Sequence, residues 1–233
     1  AFADRGKYIA DSDFVDVPID KLLDKKYLKF RSNKLETKMK IPDIKPGSIL
    51  QKETNSYIYA NSLELPSTTH ISIVDKYGNA LSMTSTIESS FGSRLMTNGG
   101  FLLNNELTDF SFQKEKKGKR VANNIEPNKR PRSSMAPTII FKNDEPLFII
   151  GSPGGSNIIG YVVNSIIGLI DWKMNVQQAA SIPHGINKFG TFYLEKNTKI
   201  SLLKKQLEKK GYKVKLRNFY SGLNIIKIKN KLF

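Results

Sequence analysis

The chain has 233 residues, no cysteine and a formal net charge of +16. That length suffices for one large domain or two small ones with a core that needs no staples, and the absence of cysteine removes thiol catalysis, Cys-type zinc sites and disulfides while leaving the redox compartment open. With 39% hydrophobic residues and 16 Gly and 10 Pro spread along its length, the composition excludes collagen-like, coiled-coil and disordered classes.

The opening stretch AFADRGKYIADSD mixes charges and has none of the layout of an export signal. Residues 1 to about 35 read as helical, with Ile19, Leu22, Leu23 and Tyr27 as a packing face behind Pro18 and Asp20. From Glu36 to Ser67 the periodicity disappears. Pro42, Pro46, Gly47 and the polar run QKETNSY mark a long irregular connection, and Ser67 is a natural boundary between regions 1–67 and 68–233.

THISIVD and the run from Ala80 to Ile87 flank the turn signal DKYGN and predict a hairpin. With the turn centred near Tyr77, Thr68 lies opposite Thr86 and both point to one face. The strand propensity of threonine explains the pair equally well. APTIIF, the turn KNDEP and LFIIG predict a second strand pair. It ends in GSPGGS, where Ser156 reads as the cap of a helix running to about Leu169. The apolar stretch from Ile158 to Trp172 is interrupted by Asn164, Ser165 and Asp171 and is shorter than the roughly 20 residues of a membrane span. It reads as a core helix. A further helix carries Leu202, Leu203 and Leu207 and closes at Gly211, and YKVKLR and LNIIKIK follow as strands. Antiparallel pairs followed by helices predict an α+β layered domain. The helices in view do not cover both faces of its sheet.

The lysines are scattered. The densest runs, KEKKGKR and KKQLEKK, lack interleaved aromatics, so a solvated surface is expected over a specific nucleic-acid site. The Gly-rich loop has no P-loop lysine, and Ser152 directly after its first glycine does not fit a serine-hydrolase elbow. His70 and His184 come without a carboxylate cluster, so neither a metal site nor a cofactor is expected.

The blocks TTHISIVDKYGNALSMTSTI, FGS, LLNNELTDFSF, PNKRPRSSMAPTI and GSPGGS, in this order, resemble the small subunit of γ-glutamyltransferases, which are N-terminal-nucleophile hydrolases. AFADR and DSDFVDVP resemble the last part of that family's large subunit, and the likeness weakens from about Asn197. The resemblance implies an incomplete four-layer αββα sandwich, with 1–67 as the large-subunit end plus linker and 68–233 as the catalytic region. It implies self-cleavage after Ser67, with Thr68 as nucleophile and its freed α-amino group as base. Thr86 then orients the nucleophile, and the Gly154 and Gly155 N–H groups hold the oxyanion. Glu106 and Asp109 match positions that bind the donor's ammonium, and Ser133 and Ser134 match those that hold its carboxylate. The implied partners are a γ-glutamyl donor such as glutathione and a water, amino acid or peptide acceptor. The implied location is periplasmic or extracellular.

Departures from the family pattern matter too. Glu88 stands where many members have Asn, beside the donor pocket, and a carboxylate there favours a different acyl group such as glutaryl. The segment from Ser111 to Glu126 is short for a lid. The arginine that pairs with the donor carboxylate has no assigned counterpart, and a second chain supplying the absent large-subunit part is one source for it. The chain alone is therefore expected to be feebly active or inactive. A related amide acylase and a noncatalytic basic interaction protein stay open as alternatives.

Overall fold

In the computed structural model, which describes residues 1–34, 44–49, 57–60 and 67–229, the helical opening divides into α1 (Phe2–Tyr8), α2 (Ile19–Leu23) and α3 (Lys25–Ser32). Asp24 makes the break between the last two, and its side chain accepts the Tyr27 N–H at 2.8 Å to cap α3. The expected packing face is therefore split over two helices. Ile19 stays 55% and Leu23 66% exposed. Helix α1 is tied down more firmly: Asp4 accepts the Gly47 N–H and the Tyr8 hydroxyl donates to the Gly47 carbonyl, both at 2.6 Å. Most of the irregular connection expected over 36–67 lies outside the described residues.

Strands β1 (Thr68–Val74) and β2 (Ala80–Thr86) form the first antiparallel hairpin. Its turn is held by Asp75, whose carboxylate accepts the N–H groups of Tyr77 and Asn79 and the Asn79 side-chain amide at 2.8–2.9 Å. Gly78 supplies the φ of +88° that the turn needs. The register pairs Thr68 with Thr86, as the turn position predicts. The charged run at 114–120 folds into a two-residue ribbon, β3 (Glu115–Lys116) and β4 (Lys119–Arg120), whose residues are exposed.

Strands β5 (Thr138–Lys142) and β6 (Glu145–Gly151) turn on Asn143 and Asp144, both at positive φ, so the turn is tighter than KNDEP suggests and Pro146 sits within β6. Phe148 and Ile150 pack with Ile158, Val162 and Leu169 of α4 (Ile158–Ile170) and with Ala179 of α5 (Val176–Ala180). Each of the Phe, Ile, Val and Leu side chains, fully buried, contributes roughly 1.5–3 kcal/mol. Ser156 does not cap α4. It lies in a 3-10 turn, Gly155–Asn157, where its hydroxyl accepts from Lys188 Nζ at 2.5 Å, and α geometry begins only at Ile158.

The sequence reading assigns no strands to β7 (Gly185–Phe189) and β8 (Thr191–Glu195), which join β9 (Lys213–Arg217) in a sheet of order β7-β8-β9. Their signal is weak because polar residues interrupt β7 and its register shifts between Asn187 and Phe189. Before β9, a 3-10 turn leads into α6 (Lys204–Lys209), and Gly211 at φ +86° follows it. β10 (Asn224–Lys227) completes the order β10-β6-β5. The class is α+β.

The β1–β2 hairpin inverts the usual amphipathic arrangement. Thr68, His70, Ser72, Ser82, Thr84 and Thr86 occupy the more buried face, whereas Ile71, Ile73, Leu81 and Met83 form an apolar outer face, each 38–47% exposed. The polar face serves hydrogen bonds to the neighbouring sheet. Ser82 Oγ donates to the Ile150 carbonyl and accepts the Thr138 N–H, both at 3.1 Å. His70, 6% exposed, bonds Thr84 Oγ1 at 2.7 Å and Ser72 Oγ at 3.0 Å, and its ring edge lies against Gly151. A Cβ at Gly151 would overlap that ring. Gly151→Ala should therefore lower the unfolding free energy by about 1–3 kcal/mol. The change should appear as a lower urea midpoint at unchanged slope, and part of it should return when His70→Ser is added.

Candidate active site

The hairpin register brings two threonine hydroxyls to the start of β1 and the end of β2. Thr86 Oγ1 donates to the Ser67 carbonyl at 3.0 Å and accepts the Glu88 N–H at 2.9 Å. The carbonyl just before Thr68 thus receives a hydroxyl hydrogen bond, which draws electron density away from its carbon. Ser67 Oγ and Ser90 Oγ lie 2.9 Å apart, beside a cavity of about 410 Å³ whose lining includes Ser67, Thr68, Thr86 and Ser90.

A second, much smaller cavity, about 20 Å³, which shares Thr68 and Thr86 with the first, also has Glu88, Glu106, Asp109, Ser133, Ser134 and Gly155 on its walls. That volume holds about one water molecule. Eight residues singled out in the sequence thus meet in one place, drawn from the first hairpin, the 3-10 turn Glu106–Asp109, the segment before β5 and the loop after β6. Gly154 does not line this cavity. It is buried behind Gly155 at φ +137°, with the Tyr161 ring filling the space a side chain would need. Gly155 adopts φ +56°, so both positions of the loop use the left-handed freedom of glycine.

Glu88 is only 3% exposed and has φ +73°, a region that a glutamate seldom occupies. Asn105, which the sequence reading misses, holds it there. Its amide donates to Glu88 Oε2 at 2.5 Å, and its carbonyl oxygen accepts the Ser89 N–H at 3.0 Å. Asn105 belongs to the LLNNELTDF block, but nothing in the sequence marks it as a clasp for residue 88. Burial pushes the Glu106 carboxyl above the usual carboxylate range and the Glu88 charge adds to this, while a hydrogen bond to Asp109 acts against it. One oxygen of Glu106 is buried with no hydrogen-bond partner among the described residues.

A second residue missed by the sequence reading is Arg5. From α1 its Nη2 donates to the Ser133 carbonyl at 3.1 Å and to Ser134 Oγ at 2.6 Å. Ser133 Oγ accepts the Met135 N–H at 3.1 Å. Among the described residues no group of three or more His, Cys, Asp or Glu is placed to hold a metal ion, and no helix is long and apolar enough to cross a membrane.

Because the folded state keeps the Glu106 proton to a higher pH than the unfolded chain does, stability should fall as pH rises from the ordinary glutamate range through the raised value. Carboxyl ¹³C NMR titration should show Glu106 titrating above ordinary glutamates. Glu88→Gln should bring it part of the way down, and Glu106→Gln should remove the accompanying loss of stability.

Known proteins share this arrangement of sequence and fold. The family model described as Gamma-glutamyltranspeptidase matches residues 1–233. The glutathione hydrolase proenzyme of Escherichia coli (strain K12) is 37% identical over 227 residues, which is 93% of this chain and 37% of that protein. Acylase ACY 1 proenzyme from Pseudomonas sp. (strain V22) is 30% identical over 228 residues, 97% of this chain and 38% of that protein. A crystal structure of a Helicobacter pylori gamma-glutamyltranspeptidase mutant superposes with a TM-score of 0.64 at 40% identity, covering 70% of this chain and 92% of that one. The chain spans little more than a third of the length of these two curated relatives, and with the family model matched from end to end it belongs to the gamma-glutamyltranspeptidase family.

Proposed function

We propose that this chain carries the nucleophile-bearing part of a γ-glutamyl hydrolase or transferase that matures by cutting itself between Ser67 and Thr68. The observation that carries the reading is the Thr86 hydroxyl, which lies across the hairpin from Thr68 and hydrogen-bonds the carbonyl of the bond to be cut. In maturation Thr68 Oγ1 attacks the Ser67 carbonyl carbon. The peptide nitrogen leaves as the Thr68 amine, an ester forms, and water hydrolyses it. Thr86 stabilises the oxygen on which negative charge develops. The new α-amine, with an ordinary pKa of about 7.7–8.0, has a substantial neutral fraction near physiological pH and serves as the proton acceptor for its own hydroxyl.

In turnover Thr68 Oγ1 attacks the donor's γ-carbonyl, the amine passes the proton to the leaving nitrogen, and water or an amino acceptor releases the acyl group. Gly155, which lines the cavity, has the role of oxyanion donor in this reading, and Gly154, implied as the second donor by the family resemblance, is set back behind it. The positive φ of Gly155 and its lack of a side chain allow close backbone approach to the reacting carbonyl. Glu88, Glu106 and Asp109 form the cation-binding end of the donor cavity, and Ser133 and Ser134 the carboxylate-binding end. The Glu88 charge acting on Glu106 supports counting Glu88 with the cation-binding end. It then adds attraction for an α-ammonium and gives a glutaryl group no advantage.

The finer architecture that goes with this chemistry is the N-terminal-nucleophile sandwich of two sheets between helical layers. The apolar outer face of Ile71, Ile73, Leu81 and Met83 supports a further layer over the first hairpin, supplied by large-subunit-like polypeptide. The acylase relative gives the second reading, in which the same threonine accepts a different acyl group.

Incubation with γ-glutamyl-p-nitroanilide and glutaryl-p-nitroanilide should separate the two readings. The expected result is slow release of p-nitroaniline from the γ-glutamyl compound, with an acyl adduct on the fragment that begins at Thr68, and loss of both in Thr68→Ala. Thr86→Val should slow self-cleavage on the order of 100-fold, the effect of losing one oxyanion donor. Preference for the glutaryl compound would favour the acylase reading, and turnover that survives Thr68→Ala would contradict both.

A further inference from the structure

The donor cavity has three carboxylates and two serines among its lining residues. A serine pair by itself recognises a carboxylate poorly, because neutral hydroxyls give weaker hydrogen bonds to an anion than a charged donor does. The guanidinium that stands behind these serines changes that. Arg5 Nη2 bridges the carbonyl of Ser133 and the hydroxyl of Ser134, residues that lie side by side in sequence but 128 and 129 positions away from it.

A guanidinium only donates. In this contact Ser134 Oγ is therefore the acceptor, and accepting from a cation strengthens that hydroxyl as a donor. Ser134 is 7% exposed, so the charge of Arg5 acts across a dry hydroxyl rather than through solvent, where screening would weaken it. Arg5 is itself held in place. Its carbonyl accepts from Arg132 Nη1 at 3.2 Å, Arg132 is 5% exposed, and the neighbouring Asp4 anchors α1 to Gly47. The cavity thus has a negative region at Glu88, Glu106 and Asp109 and a positive charge one hydroxyl beyond its serine wall.

We propose that Arg5 is a positioning and specificity residue, acting through Ser133 and Ser134 to make that end of the cavity select a carboxylate, so that the donor must present both charges of an α-amino acid. This rests on the γ-glutamyl reading of the site and adds to it the residue that supplies the positive charge.

The test compares γ-glutamyl-p-nitroanilide with 4-aminobutyryl-p-nitroanilide, which keeps the ammonium and lacks the carboxylate. The wild-type chain should prefer the γ-glutamyl compound in kcat/KM. Arg5→Gln should reduce that preference by about 10- to 100-fold, corresponding to the roughly 1.5–3 kcal/mol of a hydrogen bond to a charged group, with the loss carried mainly by KM. Arg5→Lys should recover a large part of it. Equal losses with both compounds would make Arg5 a structural residue only, and an unchanged preference would remove it from recognition altogether; either overturns the proposal.

Absence of turnover with every donor counts against the γ-glutamyl reading. The role of Arg5 is then judged by NMR titration of the chain with L-glutamate and with 4-aminobutyrate, followed at the Ser134 amide. Tighter glutamate binding that is lost in Arg5→Gln supports the proposal, and equal or absent binding of the two ligands contradicts it.

Discussion

The hydrogen bond from Thr86 to the Ser67 carbonyl depends on one geometric constraint, the register of the β1–β2 hairpin. A shift of one residue in that register would turn one threonine to the opposite face and remove the second hydroxyl from the bond before Thr68. The register is held at the turn by the Asp75 carboxylate, which gathers three donors, and at the inner face by Ser82 and His70, which lock the hairpin onto β5 and β6. Strand β1, which begins at Thr68, and strand β6, which leads into the glycine loop, are thereby positioned by the same contacts.

That requirement explains why the hairpin turns its polar face inward. Hydroxyl and imidazole groups are needed where β1 and β2 meet β6, so the apolar residues of the same strands face outward and stay partly exposed. Burying polar groups is tolerable where they find partners: His70 has Thr84 and Ser72, and Ser82 bonds two backbone groups. Glu88 follows the same logic at higher cost, being left-handed, buried and close to a second carboxyl, and Asn105 and the Thr86 hydroxyl hold it. Unusual backbone at such a place accords with a binding role.

How much of this was readable in the sequence depended on distance along the chain. The Thr68–Thr86 pairing follows from a local turn signal and the two-residue period of strands, so counting residues suffices. The glycine pair at 154 and 155 stands out in the sequence, and its positive φ values emerge only in the fold. The cap at Ser156 was misplaced because a 3-10 turn and the distant Lys188 intervene, and β7 and β8 escaped because polar residues and a register shift erase their alternation. Arg5 and Asn105 were not legible. Arg5 lies in the quoted AFADR block, but its contact with Ser134 arises only from the packing of α1 against a segment more than a hundred residues away. The meeting of Glu88, Glu106, Asp109, Ser133 and Ser134 in one cavity was an implication of family resemblance that periodicity alone does not provide.

The most direct test of the account is the intact mass of freshly folded protein followed over time, combined with N-terminal sequencing. The account predicts a single spontaneous cut that yields a fragment ending at Ser67 and a fragment beginning at Thr68, at a rate independent of protein concentration, as expected for attack by a hydroxyl within the same chain. A folded chain that remains in one piece, or one cut at any other bond, would contradict it.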